Sequence, residues 1–146
     1  MKFYKKIVGD RIYLSPKTAE IDAIDIYTKW MNDFEVTDYI GRSAQIQTFL
    51  NEKEYLENSA KDSKDKHFDI VLLDNDHLIG SISLAKIDYL NRNATLGIFI
   101  GDFEYRNNGY GREAIKLILE YAFKYLNLHS VNLTLLSINE RAHKCY

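Results

Sequence analysis

The residues of this chain best suited to chemistry lie in one stretch, Asp102-Phe103-Glu104-Tyr105-Arg106-Asn107-Asn108-Gly109-Tyr110-Gly111-Arg112-Glu113-Ala114. There an alternating apolar run passes through a polar turn into an amphipathic run, which reads as strand, loop and helix. Gly109 and Gly111 permit positive φ or close approach of another group to the backbone. The loop's unpaired N–H groups would sit at a helix N-terminus carrying roughly half a positive charge. That combination suits a phosphate group. A plain glycine-bearing turn has the same local pattern, so the choice rests on what surrounds it. The other reactive residue types are dispersed. His67, His77, His129 and His143 have no ligand spacing, so no metal site is expected. Cys145 is the sole cysteine and cannot form an internal disulfide. No nucleophile triad can be assembled from the spacing.

The elements that must position this loop follow from periodicity. Residues 11–15 alternate and stop at Pro16, the only proline, as a first strand would. From Thr18, read as an N-cap, Ile21, Ile24, Tyr27, Trp30 and Met31 recur at helical spacing and predict one buried face. Residues 32–40 break that period and lead to Gly41. Thr48 opens a second helix that runs through Tyr55 and Leu56 to about Ser59. Residues 61–66 form a charged loop. Phe68, Ile70 and Leu72 then alternate with Asp69, Val71 and Leu73 before a turn at Asp74-Asn75-Asp76, and residues 78–87 return as the next strand. Gly80 within that strand suggests a bulge or a close backbone neighbour. Residues 94–100 complete an antiparallel meander. Ala114, Ile115, Ile118, Leu119, Ala122, Phe123 and Leu126 line one face of a long helix, and residues 131–136 read as a parallel strand buried on both faces. Asn139 then opens a helix that reaches Tyr146 after about two turns. So short a helix would fray, and the expectation is that the natural protein continues beyond Tyr146.

At 146 residues the chain fits a single domain with one core. With 19 Lys and Arg against 21 Asp and Glu, its net charge of −2 offers no global basic field for nucleic acid or anionic membrane. No stretch has the apolar length of a membrane span, and the basic opening is too short in apolar residues for a signal peptide, so a cytoplasmic location is expected. Tyrosine reaches 11 residues, which reflects coding bias as readily as a binding surface.

Two separated patterns, Arg106-x-x-Gly109-x-Gly111 after one strand and Asn139-x-x-Ala142-x-x-x-Tyr146 after the next, together resemble the Gcn5-related N-acetyltransferase (GNAT) superfamily. Those enzymes move acetyl from acetyl-coenzyme A to amines. The order of elements matches too, over nearly the whole chain. Trp30-Met31-Asn32-Asp33 with Glu35-Val36 is similar to the branch that acetylates ribosomal-protein N-termini, whose relatives include spermidine and sugar-nucleotide acetyltransferases. The resemblance implies an α/β (α+β) fold: one acyl-coenzyme A N-acyltransferase domain over residues 1–146, with strands one to four antiparallel, strand five parallel to four, helices on both faces, and the family's closing strands missing.

It further implies that the amides of Asn107, Asn108, Gly109, Tyr110 and Gly111 hold the pyrophosphate, with Arg106 at the entrance and Arg112 available for phosphate charge. Ile98, Phe99 and Ile100 would pair their backbone with pantetheine. Asn139 would reach the cofactor as well as cap its helix, and Tyr146 would be the general acid that protonates the departing thiolate. Its alternative is an aromatic packed on the sheet. Cys145, a quarter-turn away on the same helix, is read as core. No metal is implied. Relatives often carry a glutamate base where this chain has Thr95, which leaves Glu104, Asp102, a water chain or an already neutral amine as options. The implied reaction is direct attack by a primary amine (protein N-terminus, polyamine or amino sugar) in a ternary complex. The alternative is a non-catalytic module that binds acetyl-coenzyme A or a partner through a decayed site. A nucleotide-binding domain fits less well, because no Lys-Ser/Thr follows the loop. The unpaired outer edge of strand five would favour a homodimer or poor order in residues 137–146.

Overall fold

The structure is a computed structural model that describes residues 1–133. The expectations for Asn139, Cys145, Tyr146 and the last residues of strand 131–136 therefore fall outside the described part. Among the described residues six strands make one sheet whose spatial order is the chain order: β1 (Ile7–Val8), β2 (Ile12–Pro16), β3 (Lys66–Leu72), β4 (Leu78–Asp88), β5 (Asn93–Ile100) and β6 (Ser130–Leu133). The first five are antiparallel, and β6 is parallel to β5, with Asn93 opposite Ser130 and Leu96 opposite Leu133. The two-residue β1 was not expected, so the parallel pair becomes the fifth and sixth strands instead of the fourth and fifth.

Side-chain alternation splits the core into two layers. Ile12, Leu14, Ile70, Ile82, Leu84 and Leu96 face α4 (Tyr110–Lys124), which buries Ala114, Ile115, Ile118 and Ala122 against them. Tyr13, Val71 and Leu78 face the opposite way, onto Ala23, Ile24 and Tyr27 of α1 (Ile21–Met31) and Leu56 of α3 (Phe49–Lys61). Each fully buried Ile, Leu or Val among them contributes about 1.5 to 3 kcal/mol of transfer free energy, and each Ala less. Both central strands are covered on both faces, which is why residues 68–72 are all buried despite their mixed pattern.

Several local expectations change. Thr18 is not the N-cap of α1: its hydroxyl accepts from the Glu20 amide at 3.3 Å, and Glu20 occupies the cap without a side-chain bond. Ile21 and Phe123 are exposed at 73% and 46%, so the apolar stripes of α1 and α4 are narrower than the sequence suggests. Residues 32–40, read as a break, contain a third helix, α2 (Phe34–Ile40). Asp33 caps it by accepting from the Glu35 amide, and Gly41 closes it at φ 71°. The described part of β6 is an edge, with Leu133 at 41% exposure, and not a strand buried on both faces.

Gly80 combines both meanings proposed for it. Ile70 pairs with Gly80 and Val71 with Leu78, so Ile79 is the extra residue of a bulge. A Cβ on Gly80 would also lie 2.3 Å from the Phe99 carbonyl oxygen.

Candidate functional site

The β4 bulge at Ile79 lies beside the end of β5, where the chain leaves the sheet. The Ile79 carbonyl accepts from Gly101 N at 2.9 Å and Asp102 N at 3.2 Å, which ends β5. Gly101 lies directly beneath the Trp30 indole, where a Cβ would sit 2.1 Å from a ring carbon. Asp102 then caps a single 3-10 turn (Phe103–Tyr105), accepting from Glu104 N at 3.2 Å. The backbone reverses through Asn107 at φ 63° and Gly109 at φ 84°, and Gly109 is the N-cap of α4. Asn is among the few residues other than Gly that enter this left-handed region at low cost. Alternation in and out of the left-handed region is a turn conformation of the kind in which successive N–H groups can form an anion nest. The α4 N-terminus adds its dipole to the same place.

The loop residues of the sequence pattern, Arg106 to Arg112, are thus gathered at the N-terminus of α4, beside the end of β5. Ile98, Phe99 and Ile100 pair on one side with Ile82, Ser81 and Gly80 of β4. Toward β6, pairing among the described residues ends at Leu96. The side chains of Ile98 and Ile100 pack with the α4 layer, and Phe99 packs edge-on against Tyr27 and Trp30.

Three of the expected residues have partners or conformations that the sequence does not announce. Arg106 donates through Nε to the Ile100 carbonyl at 3.0 Å and through Nη1 to the Glu35 carbonyl at 2.9 Å, so its guanidinium ties β5 to α2. Gly111 lies inside the first turn of α4 without positive φ, so its backbone conformation does not require glycine. Asp102, one candidate base, is engaged by His77, whose Nε2 lies 2.6 Å from Oδ2. Glu104 is exposed, and Thr95 is embedded in β5 between Ala85 and Asn132.

Residues that sequence reasoning passed over complete the surroundings. Arg11, at the start of β2, donates from Nη1 to the Asn108 carbonyl at 2.9 Å and from Nε to Glu113 Oε1 at 2.9 Å. Its guanidinium carbon lies 4.1 Å from the centroid of the Tyr110 ring. Glu113 Oε2 accepts the amides of Arg11 at 2.9 Å and Ile12 at 3.2 Å. Burial works to raise the Glu113 carboxyl, but these bonds and the Arg11 charge outweigh it and hold it below the usual carboxylate range. Gly9 leaves room for that carboxylate, since a Cβ there would be 2.6 Å from Oε2. Nothing in the spacing of Arg11 and Glu113 announces this pair.

On the other face of the sheet lies a buried ionic group. Lys17 Nζ sits 3.1 Å from Asp69 Oδ1, with the two side chains 4% and 0% exposed, and donates to Ser81 Oγ at 2.7 Å. The Tyr27 hydroxyl donates to Asp69 and lies 3.2 Å from the Gly80 carbonyl. Burial first, and the Asp69 charge second, push the Tyr27 phenol well above its ordinary value. A carboxylate inside a strand of apolar residues was the available signal for this group. Elsewhere Asp62, Asp65 and His67 bring ligand-type atoms within 4.8 Å of one another. Asp62 Oδ1 is already taken by the amides of Lys64 and Asp65.

Among the described residues no helix is long and apolar enough to cross a membrane. Comparison with known proteins agrees with the fold. The chain is 32% identical over 103 residues to the uncharacterized N-acetyltransferase YnaD of Bacillus subtilis (strain 168), covering 70% of this chain and 58% of that protein. It is 36% identical over 70 residues to spermidine N(1)-acetyltransferase of Vibrio cholerae, covering 48% and 40%. It therefore spans less than two thirds of the length of these two relatives. Among solved structures, a GNAT-family acetyltransferase from Bacillus anthracis superposes with a TM-score of 0.80 at 22% identity, covering 95% of this chain and 78% of that one. Spermidine N-acetyltransferase from Vibrio cholerae in complex with CoA and spermine superposes with a TM-score of 0.78 at 24% identity, covering 92% and 77%. The model of the acetyltransferase (GNAT) domain family matches residues 11–146, nearly the whole chain, and with the fold shared as well, this chain belongs to the GNAT acetyltransferase family.

Proposed function

We propose that this chain is the catalytic part of an acetyl-coenzyme A dependent N-acetyltransferase whose acceptor is a primary amine. The observation that carries the reading is the loop through Asn107 and Gly109, both at positive φ, that leads from the end of β5 into the N-terminus of α4. Its donors are amides, which suit a diphosphate without requiring a basic surface. In this reading the amides of Asn107, Asn108, Gly109, Tyr110 and Gly111 hold the diphosphate, Arg112 adds charge, and the backbone of Ile98, Phe99 and Ile100 binds pantetheine. Arg106 acts by holding β5 and α2 together beside the loop.

When bound, acetyl-coenzyme A supplies an acetyl thioester: the amine forms the new C–N bond and loses a proton, and the C–S bond breaks to release the thiol. Tyr146, outside the described residues, is proposed to give the proton to the leaving sulfur, since a phenol is protonated at neutral pH. Asn139 is proposed to cap its helix and reach the coenzyme. Thr95 cannot accept the amine's proton, and with Asp102 bonded to His77 the proposal favours either an amine that arrives neutral or one deprotonated through water. The acceptor classes are a protein N-terminus, a polyamine and an amino sugar; the spermidine-acetylating relatives make the polyamine the first to test.

A thiol-release assay with acetyl-coenzyme A and those three amines tests the proposal directly. Release that depends on one amine is expected. Coenzyme binding without release for any amine would favour the non-catalytic module instead.

A further inference from the structure

We infer that Arg11, held by Glu113, sets the direction of the Gly109 N–H and so is a positioning residue for the diphosphate of the coenzyme; this rests on the reading above. A trans peptide is planar, with its C=O and N–H pointing opposite ways, and no cis bond occurs among the described residues. By binding the Asn108 carbonyl, Arg11 Nη1 turns the Gly109 N–H of that same peptide plane to the side away from Arg11. The residues on either side, Asn107 and Gly109, have positive φ, and Gly109 in particular has no Cβ to restrain this plane. The guanidinium does so from 97 residues away in sequence, seated on the Tyr110 ring and anchored through Nε on Glu113.

Charge adds a second requirement. Glu113 stands in the first turn of α4, so its negative charge lies near the helix N-terminus, with the carboxylate turned toward β2. Arg11 neutralises it, and its oxygens are taken by the Arg11 side chain and the amides of Arg11 and Ile12. Losing Arg11 alone removes the hold on the Asn108 carbonyl and leaves the Glu113 carboxylate without a countercharge near the α4 N-terminus, bonded only to the amides of residues 11 and 12. Losing both residues removes the carboxylate too. The two substitutions are therefore non-additive in coenzyme binding, with the double variant binding better than Arg11→Met alone.

Calorimetric titration of the full chain with acetyl-coenzyme A and with S-acetylpantetheine, which lacks the diphosphate, tests this. Arg11→Met is expected to raise the dissociation constant for acetyl-coenzyme A about tenfold or more, as for the loss of a charged hydrogen bond, while S-acetylpantetheine shifts by less than about twofold. Arg11→Met/Glu113→Gln is expected to recover part of the loss. Arg11→Lys, which keeps the charge but cannot span both the Asn108 carbonyl and Glu113, is the milder variant should Arg11→Met fold poorly, and should show the same selectivity at smaller size. Equal weakening for both ligands would mean general damage and overturn the inference, as would unchanged acetyl-coenzyme A binding in the variants or a double variant no better than the single. A wild-type chain that ignores acetyl-coenzyme A would overturn the proposed function itself.

Discussion

Gly109 and Gly111 have the same side chain but different reasons for it, and substitution should separate them. Gly109 sits at φ 84°, so Gly109→Ala should cost about 1 to 2 kcal/mol of stability in urea unfolding. Gly111 is helical, so Gly111→Val should leave the melting temperature nearly unchanged yet abolish the upward shift that acetyl-coenzyme A produces, because its branched side chain blocks approach to the backbone. Retention of that shift would count against phosphate contact at Gly111. Glu113 gives a pH signature at the same scale. Its folded-state carboxyl is held below the ordinary 4.5, so its stabilisation is fully present above that value and is lost as the pH falls through the folded pKa. Glu113→Gln should therefore flatten the acid limb of the wild-type stability profile, measured as denaturation midpoint against pH.

The elements differ in how far they could be read from sequence, and the reason is whether their signal is local. The strands around Ile70 and Ile82 and the long helix through Ile118 were legible because apolar alternation and helical spacing are local patterns. The α2 helix was not, because seven residues give too few apolar positions for a period, although Asp33 and Gly41 were there as caps. The loop at Arg106 to Gly111 was legible as a motif, while the Arg11 to Glu113 pair that holds it depends on register between β2 and α4.

The buried Lys17 and Asp69 pair belongs to this scale too, since it ties the end of β2 to β3 and, through Tyr27, α1 to the bulge at Gly80. Asp69→Ala strands a buried ammonium and should cost about 3 to 5 kcal/mol in chemical unfolding. On α3, Glu52 is 3% exposed, and burial raises its carboxyl against the opposing effects of Gln47, Arg42 and Lys17. A raised carboxyl destabilises the fold increasingly as pH climbs from 4.5 through the folded value. Glu52→Gln should accordingly stabilise more at pH 7 than at pH 5, and equal gains at both would refute this account.

At the scale of the whole molecule, the sheet is built in chain order, each strand pairing with the one before it, and the site forms where the fifth strand gives way to α4. Helices on both faces leave the loop on a rigid support: Trp30 closes over Gly101 from one face, and Arg11 reaches Asn108 from the start of β2. That arrangement also has a kinetic consequence. The meander β3, β4 and β5 can associate through short loop closures, whereas the bond between the Arg11 amide and Glu113 joins residues 102 apart. The clamp should then form after the main folding barrier. Substitutions at Arg11 would leave the folding rate almost untouched and appear as faster unfolding, a φ-value near zero, while those at Ile70 and Ile82 would slow folding. The loop proposed to hold the coenzyme would then settle late in folding and loosen early.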